Sequence, residues 1–545
     1  MPENLYDDGS PAAVRMPGLT GAERHPRWTL VVVCTATFML LLDLTVVFVA
    51  LSRIQDDFHC DLGSLQWVID AYTLTLAGFL LTAGTVGDRV GRRRVFLIGM
   101  SVFVAGSLGC ALAWSPLALC LLRGLQGIGG ALLFGVALPL LGEAFPQPRA
   151  RAAAIGAFGA TMAAATAVGP LVGGALVEGP GWRWIFLINV PVGLATLAVG
   201  RLRLNESRAP GARGTDVPGT VLLTGGLFTL LVAIIRGNDE GWTSVPILAL
   251  LAAAAVLLTA LLVREARTAD PMLDLALFAR PSFLGVAVAV FAMMATLVAA
   301  MTYLALYVAN TLGYSPLATG LRFLPLTVAA FLAAPLVAAV ADRVPPRLTI
   351  SGSLLLAAAG LWMMAGLRSD SHWTALLTGF VVAGVGLGAG SVVTSNAALS
   401  MSEASRFGMA TGTVNTMRQT GLATGVAVLG AVFQGRVTDS MSRRLATSAL
   451  PHDTVRALAK GVGSGAGVRA AAAVPEPLRG VVDRAARAAT VAGLDDILRI
   501  GAITAGAAAL VALVTINSEA RTPPTAVQAG PADRLSKTGG GRIRG

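Results

Sequence analysis

Four ionisable side chains, Asp43, Asp70, Arg123 and Arg322, stand inside long apolar runs of this chain. A charge in hydrocarbon costs several kcal/mol unless it is paired or hydrated, so each is a functional candidate by position alone. A carboxyl near a guanidinium is drawn to its charged form by the cation and to its neutral form by desolvation. Alternating access of water can therefore load and unload its proton. At about 1.5 Å per residue, Asp43 falls roughly 22 Å from the start of its run, and Asp70 and Arg123 fall within about 10 Å of the far ends of theirs. The same arithmetic puts Arg322 in that layer, so the four are expected to border one cavity. Asp43, with Arg123, is the first choice for proton exchange, and Asp70 for an acidic contact to a cationic or polar ligand, the two roles being exchangeable. Asp70 also reads as an interfacial residue reaching water, and Arg123 as a structural arginine on helix carbonyls. Gln126, Asn189, Asn396, Asn415, Arg418 and Gln419 read either as cavity lining or as interhelical hydrogen bonding. Trp67, Tyr72, Phe134 and Tyr303 are candidate aromatic contacts.

The elements that must hold these groups are membrane helices. Of 545 residues 55% are hydrophobic and only 13% charged, too little polar surface to cover a soluble globule. About 20 apolar residues cross about 30 Å of hydrocarbon, and on that measure the sequence predicts about fourteen spans, the first over 28–51 and the last over 498–517. The expected class is an all-α integral membrane protein. The expected divisions are a tail 1–27, a six-helix bundle 28–203, a linker 204–281 carrying spans seven and eight, a second six-helix bundle 282–517 and a disordered tail 518–545. The stretch 435–497 reads as a long extracellular loop, with an amphipathic surface helix over Arg479–Arg499 as the alternative.

The formal charge of +11 does not indicate nucleic acid, because the arginines sit in ones to threes at the ends of apolar runs. Arg89, Arg92, Arg93 and Arg94, then Arg149 and Arg151, Arg201 and Arg203, Arg264 and Arg267, and Arg343 and Arg347 mark alternate connections. That bias predicts a cell-membrane protein with both termini in the cytoplasm. Cys34, Cys60, Cys110 and Cys120 make no paired spacing, so neither a disulfide framework nor a metal site is expected. Residues 1–27 do not read as a cleavable signal peptide.

Several motifs narrow the class. Gly84-Thr85-Val86-Gly87-Asp88-Arg89-Val90-Gly91-Arg92-Arg93-Arg94 lies between two apolar runs, and a degraded copy, Ala341-Asp342-Arg343-Val344-Pro345-Pro346-Arg347, lies between two later ones. Glycines permit close helix approach, and Asp88 can sit against a facing helix N-terminus or an arginine at the seam. Leu42-Asp43-Leu44-Thr45, Arg123-Gly124-Leu125-Gln126-Gly127, Gly169-Pro170-Leu171-Val172-Gly173-Gly174, Trp182 to Pro191, Asp216-Val217-Pro218-Gly219, Gly320 to Pro325 and Asn415-Thr416-Met417-Arg418-Gln419 complete the set. Together they resemble the fourteen-span drug:proton antiporters of the major facilitator superfamily, with Phe48, Ser52 and Ala165 departing from the usual residues.

The resemblance implies two six-helix bundles plus two extra helices, rocking about a central cavity. It implies gating by Gly84, Asp88, Arg89, Gly91, Arg92, Asp342 and Arg343, and a Gly169-Pro170 bend that limits proton leak. It further implies proton-driven export of an amphipathic drug or antibiotic by a monomer in the lipid bilayer, with no cofactor beyond the proton gradient. Symport uptake and lipid or metabolite flipping are the alternatives within the fold. An enzyme is disfavoured: the four histidines fall in termini or connections, and no phosphate-cradling Gly-Lys-Ser/Thr is present.

Overall fold

The computed structural model describes residues 25–208, 216–268, 278–340, 343–400, 407–446, 450–463, 474 and 476–516, and within them the secondary structure is helical. The N-terminal half comprises α1 (Pro26–Phe58), α2 (Leu62–Val90), α3 (Arg92–Ala111), α4 (Pro116–Ala144), α5 (Pro148–Glu178) and α6 (Trp184–Arg203). A hairpin follows, α7 (Val217–Glu240) and α8 (Val245–Arg267). The C-terminal half comprises α9 (Pro281–Thr311), α10 (Pro316–Val340), α11 (Pro346–Met364), α12 (Leu377–Ser400), α13 (Phe407–Leu445), the short α14 (His452–Gly461) and α15 (Glu476–Thr515).

Local chemistry explains many of the boundaries. Proline opens α1, α4, α5, α9, α10 and α11, where its missing N–H costs nothing and its φ is already helical. Asp61 caps α2 by accepting from Ser64 N (2.9 Å) and Ser115 caps α4 by accepting from Ala118 N (3.2 Å). Gly91 ends α2 at φ +126°, a conformation that only glycine adopts without strain. Twelve helices among the described residues are long and apolar enough to cross a membrane; α2, bent by 49°, makes a thirteenth. The remaining candidate, α5, carries two shorter apolar stretches, Ala153–Met162 and Val168–Glu178.

Each half packs by the same scheme. In the first, α2 and α3 both lie on α4, α1 on α5 and α3 on α6; in the second, α10 and α11 both lie on α12, α9 on α13 and α11 on α15. The halves meet along two equivalent seams, α5 against α10 and α2 against α13. The α7–α8 hairpin docks beside the second seam through α7, whose Leu223, Leu227 and Leu231 join Leu74 of α2 and Ala423 and Ala427 of α13.

One expectation is corrected. The stretch 435–497 is largely helix where described: α13 runs on to Leu445, α14 covers His452–Gly461 and α15 begins at Glu476. Its polar residues are tolerated because they pair on the helix surface, as Arg487 with Asp483 (3.0 Å) and Arg436 with Asp496 (2.8 Å). The tails 1–24 and 517–545 lie outside the described residues.

Candidate functional site

Five helices of the N-terminal half converge on one buried polar centre. Asp43 of α1 and Arg123 of α4 form an ion pair through Oδ2 and Nη1, with both side chains inaccessible to solvent. Gln126 Nε2 and Asn189 Nδ2 each donate to Asp43 Oδ1 at 2.8 Å. Gln126 also accepts from Arg123 Nη1 (2.7 Å) and donates to Ser107 Oγ of α3 (2.8 Å). Arg123 Nε donates to Val68 O of α2 (3.0 Å), and its guanidinium lies 4.2 Å from the ring centroid of Tyr72. The carboxylate is thus matched by three donors and the guanidinium by a carboxylate, an amide oxygen, a carbonyl and an aromatic face, the arrangement that lets a charge pair persist away from water.

Asp70 is placed differently. It is wholly buried, and neither carboxyl oxygen has a hydrogen-bond partner among the described residues. One turn earlier on the same face of α2, Gln66 Nε2 donates to Tyr303 Oη of α9 (3.0 Å), and Tyr303 Oη donates to Val426 O of α13 (2.5 Å). Asp70 therefore stands beside the junction of the two halves and, contrary to the interfacial reading, does not reach water in this state.

Arg322 does not join these groups through any contact. Its guanidinium stacks 3.4 Å from the centroid of Tyr314 and 5.3 Å from that of Trp373, and Nη1 donates to Ala318 O (2.8 Å). A common depth did not bring it into contact, because aromatic residues of its own half hold it at the end of α10. Gln419 is buried with its Oε1 unpartnered, Asn415 is partly buried, and the side chain of Asn396 lies outside the described residues. Trp67 packs on Phe228 of α7 (5.3 Å) and Phe134 on Phe158 of α5 (6.0 Å).

The motif between α2 and α3 is tied to its own half. Asp88 pairs with Arg92 (2.9 Å) rather than with a facing helix. Glu206 accepts from Arg93 N (3.1 Å), lies 3.6 Å from Arg94 Nε, and sits where a side chain on Gly91 would project. Arg89 and Arg343 are exposed, and Asp342 lies outside the described residues.

Ties between the halves gather toward the α1–α2 turn. Besides Gln66 and Tyr303, Asn310 Nδ2 of α9 donates to Gln55 Oε1 (3.3 Å), and Glu178 at the end of α5 accepts from Ser315 Oγ (2.7 Å) and Leu317 N (3.0 Å) at the start of α10. Backbone packing supports them: Gly320 fits against Pro170 O, and a Cβ on Gly174 would lie 2.7 Å from Leu317 Cα. At the other end of α5, Gly156 and Gly159 face open space. Among the described residues these contacts hold the halves together at the α1–α2 face. Gln55, Gln66, Ser107, Glu178 and Asn310 are not marked in the sequence by a charge inside a span; the available signal is Gln66, four residues before Asp70.

The sequence profile described as Major Facilitator Superfamily matches residues 33–426. The chain is 34% identical over 512 residues to the Tetracenomycin C resistance and export protein of Streptomyces glaucescens, covering 93% of this chain and 95% of that one. It is 36% identical to the Puromycin resistance protein pur8 of Streptomyces alboniger, covering 78% and 86%, and 36% identical to the Multidrug resistance protein Stp of Mycobacterium tuberculosis, covering 76% and 78%. Among solved structures, a bacterial homolog of the human lysosomal transporter Spinster, in an inward-facing and unoccupied conformation, superposes with a TM-score of 0.57 at 17% identity, covering 91% of this chain and 99% of that one. That likeness speaks to fold alone.

Proposed function

This chain belongs to the Major Facilitator Superfamily, and from that premise we propose that it exports amphipathic drugs or antibiotics across the cell membrane in exchange for protons. The names of its relatives, resistance and export proteins for tetracenomycin C, puromycin and multiple drugs, support the cargo class. In this reading that arginine-rich face, and both termini, lie in the cytoplasm, which the charge bias of the connections supports. Two bundles, 28–203 and 282–517, flank a linker 204–281 and rock about the seams as a monomer, without a cofactor.

The observation that carries the coupling is Asp70, buried and unpartnered beside the Gln66–Tyr303 tie. Asp43 is already compensated by Arg123, Gln126 and Asn189, so its role in this reading is to hold the centre together. Asp70 has nothing but a proton, water or cargo to compensate it. Opening the outer seam breaks the Gln66–Tyr303–Val426 tie and admits outside water to Asp70, whose carboxylate takes a proton. Closing that seam and hydrating the inner cleft lets the proton leave to the cytoplasm as cargo enters. Gln126, Arg322, Asn396, Asn415 and Gln419 remain the proposed polar contacts for cargo. Gly169 and Pro170, the Asp88–Arg92 turn with Gly84, Arg89 and Gly91, and the second-half copy at Asp342 and Arg343 are the proposed gating elements.

The test is transport into everted vesicles under an imposed proton gradient, comparing wild type, Asp70→Asn and Asp43→Asn with a panel of amphipathic drugs. Asp70→Asn is expected to abolish gradient-driven uptake while preserving cargo exchange without a gradient. Undiminished gradient-driven uptake in that variant would remove Asp70 as the carrier.

A further inference from the structure

The end of α9 is held by a side chain from the last helix. Its final five residues, Tyr307–Thr311, form a π-turn, beyond which Leu312 N donates to Tyr307 O (3.0 Å) and Tyr314 N to Val308 O (3.3 Å). Thr311 O, at the terminus where carbonyls have no partner within the helix, accepts from Arg487 Nη1 of α15 (2.7 Å). Arg487 is itself oriented by Asp483 one turn earlier, its Nε donating to Oδ2 (3.0 Å). A cation in this place also meets the negative end of the α9 dipole.

The form of that turn decides where its residues point. Asn310, inside the π-turn, donates from Nδ2 to Gln55 Oε1 of α1 (3.3 Å), one of the ties between the halves. A π-turn carries one residue more than an α-turn, so relaxing it to α geometry rotates its end by about 100° relative to the rest of the helix. Asn310 would then turn away from α1. The helix that supplies Arg487 is firmly seated. At 40 residues, or about 60 Å, α15 is twice as long as the hydrocarbon is thick. Its surplus is bound to the extension of α13 by Arg436 and Asp496 (2.8 Å), and to the end of α11 by Asp495, which accepts from Gly366 N.

We propose that Arg487 is a positioning residue for closure of the α1–α2 face: by capping Thr311 O it holds the π-turn, and the π-turn presents Asn310 to Gln55. The helical extension between α13 and α15 thereby sets how readily that face opens. This rests on the reading that the face opens during transport, and it names the element that governs the opening. It is tested on the face itself, without gradient or cargo.

The experiment is maleimide labelling of Leu317→Cys in the purified full chain freed of its four native cysteines, alone and with Arg487→Leu, Asn310→Ala or both. Each single variant is expected to speed labelling about fivefold and the combination no further, because both break the same tie. Arg487→Lys, which keeps a cationic donor near Thr311 O, should label within about twofold of the parent. Hydrogen exchange at the amides of Leu312 and Tyr314, which the π-turn engages, should quicken severalfold in Arg487→Leu. An unchanged labelling rate in Arg487→Leu, or single effects that multiply to about twenty-fivefold in the combination, overturn the proposal. Gly174→Val separates the two readings, since it wedges α5 from α10. Fast labelling there beside an unchanged Arg487→Leu overturns this proposal alone, whereas slow labelling in both overturns it together with opening at this face. If Arg487→Leu does not fold, Asp483→Ala, which removes the carboxylate that orients the guanidinium, should speed labelling about twofold, and an unchanged rate overturns the proposal equally.

Discussion

Asp43 of α1 and Arg123 of α4 share an ion pair from which solvent is wholly excluded, with two amides completing the aspartate's coordination. Removing one member leaves the other charged and buried. Asp43→Leu or Arg123→Leu alone is expected to lower stability by about 3 kcal/mol or more, and the double variant by less than the sum. Chemical or thermal unfolding of the four proteins in one detergent gives the coupling; additive losses would mean that the pair is not energetically joined.

Asp70 should behave in the opposite way. It has no hydrogen bond to lose, so Asp70→Leu is expected to leave the unfolding temperature unchanged or raise it. A drop comparable to that of Asp43→Leu would reveal a partner in the folded protein and argue against a free carboxyl.

Tyr303 ties the two halves at the α1–α2 face through its hydroxyl. Tyr303→Phe removes two hydrogen bonds and keeps the ring, worth about 1–2 kcal/mol, or about a tenfold shift of population toward the state open at the α1–α2 face. Maleimide labelling of a cysteine introduced at Leu317, in a chain freed of Cys34, Cys60, Cys110 and Cys120, should accelerate accordingly. Glu178→Ala should shift labelling in the same direction, because Leu317 N and Ser315 lose their acceptor; an unchanged rate in both variants would show that neither contact governs closure.

Side-chain volume at the other seam gives an independent handle. Gly320 packs on Pro170 O and Gly174 on Leu317, so Gly320→Val or Gly174→Val prevents α5 and α10 from meeting. Each variant is expected to reach the membrane at normal levels, to label fast at position 317 and to lose transport. Normal transport would place the closed seam elsewhere.

Asp216 caps α7 and accepts from Gly219 N (2.9 Å) and Arg264 Nε (3.0 Å). Burial pushes its carboxyl up, but the Gly219 N–H and the Arg264 guanidinium outweigh that and hold it below the usual carboxylate range. A depressed folded value means the stabilisation is fully present above the unfolded carboxylate pKa of about 3.9 and fades as pH falls through the lower folded value. Asp216→Ala should therefore cost about 1 kcal/mol uniformly between about pH 5 and 8, and less in stronger acid. A cost that changes across the neutral range would point to another titrating group.

The helices were legible because long apolar runs with proline at their starts have few alternatives, and the paired packing of the halves was implied by the repeated motif around Asp88 and Asp342. Asp43, Arg123, Gln126 and Asn189 were marked by polarity within those runs, yet their mutual contact depends on helix rotation, which about 1.5 Å of rise per residue does not report. Arg322 shows the same limit, since a common depth says nothing of azimuth. The continuity of Glu476–Thr515, read as a loop or surface helix up to 497 and a span from 498, was hidden by charges whose partners lie one turn away, as Arg487 and Asp483 do.

The α7–α8 hairpin makes the two long crevices between the bundles unequal. Beside α2 and α13, the leucines of α7 stand between the crevice and the acyl chains; beside α5 and α10 no such screen is present among the described residues. A lipophilic molecule dissolved in the leaflet therefore meets a shuttered flank on one side and a bare one on the other, which gives the pump a handedness within the plane of the bilayer.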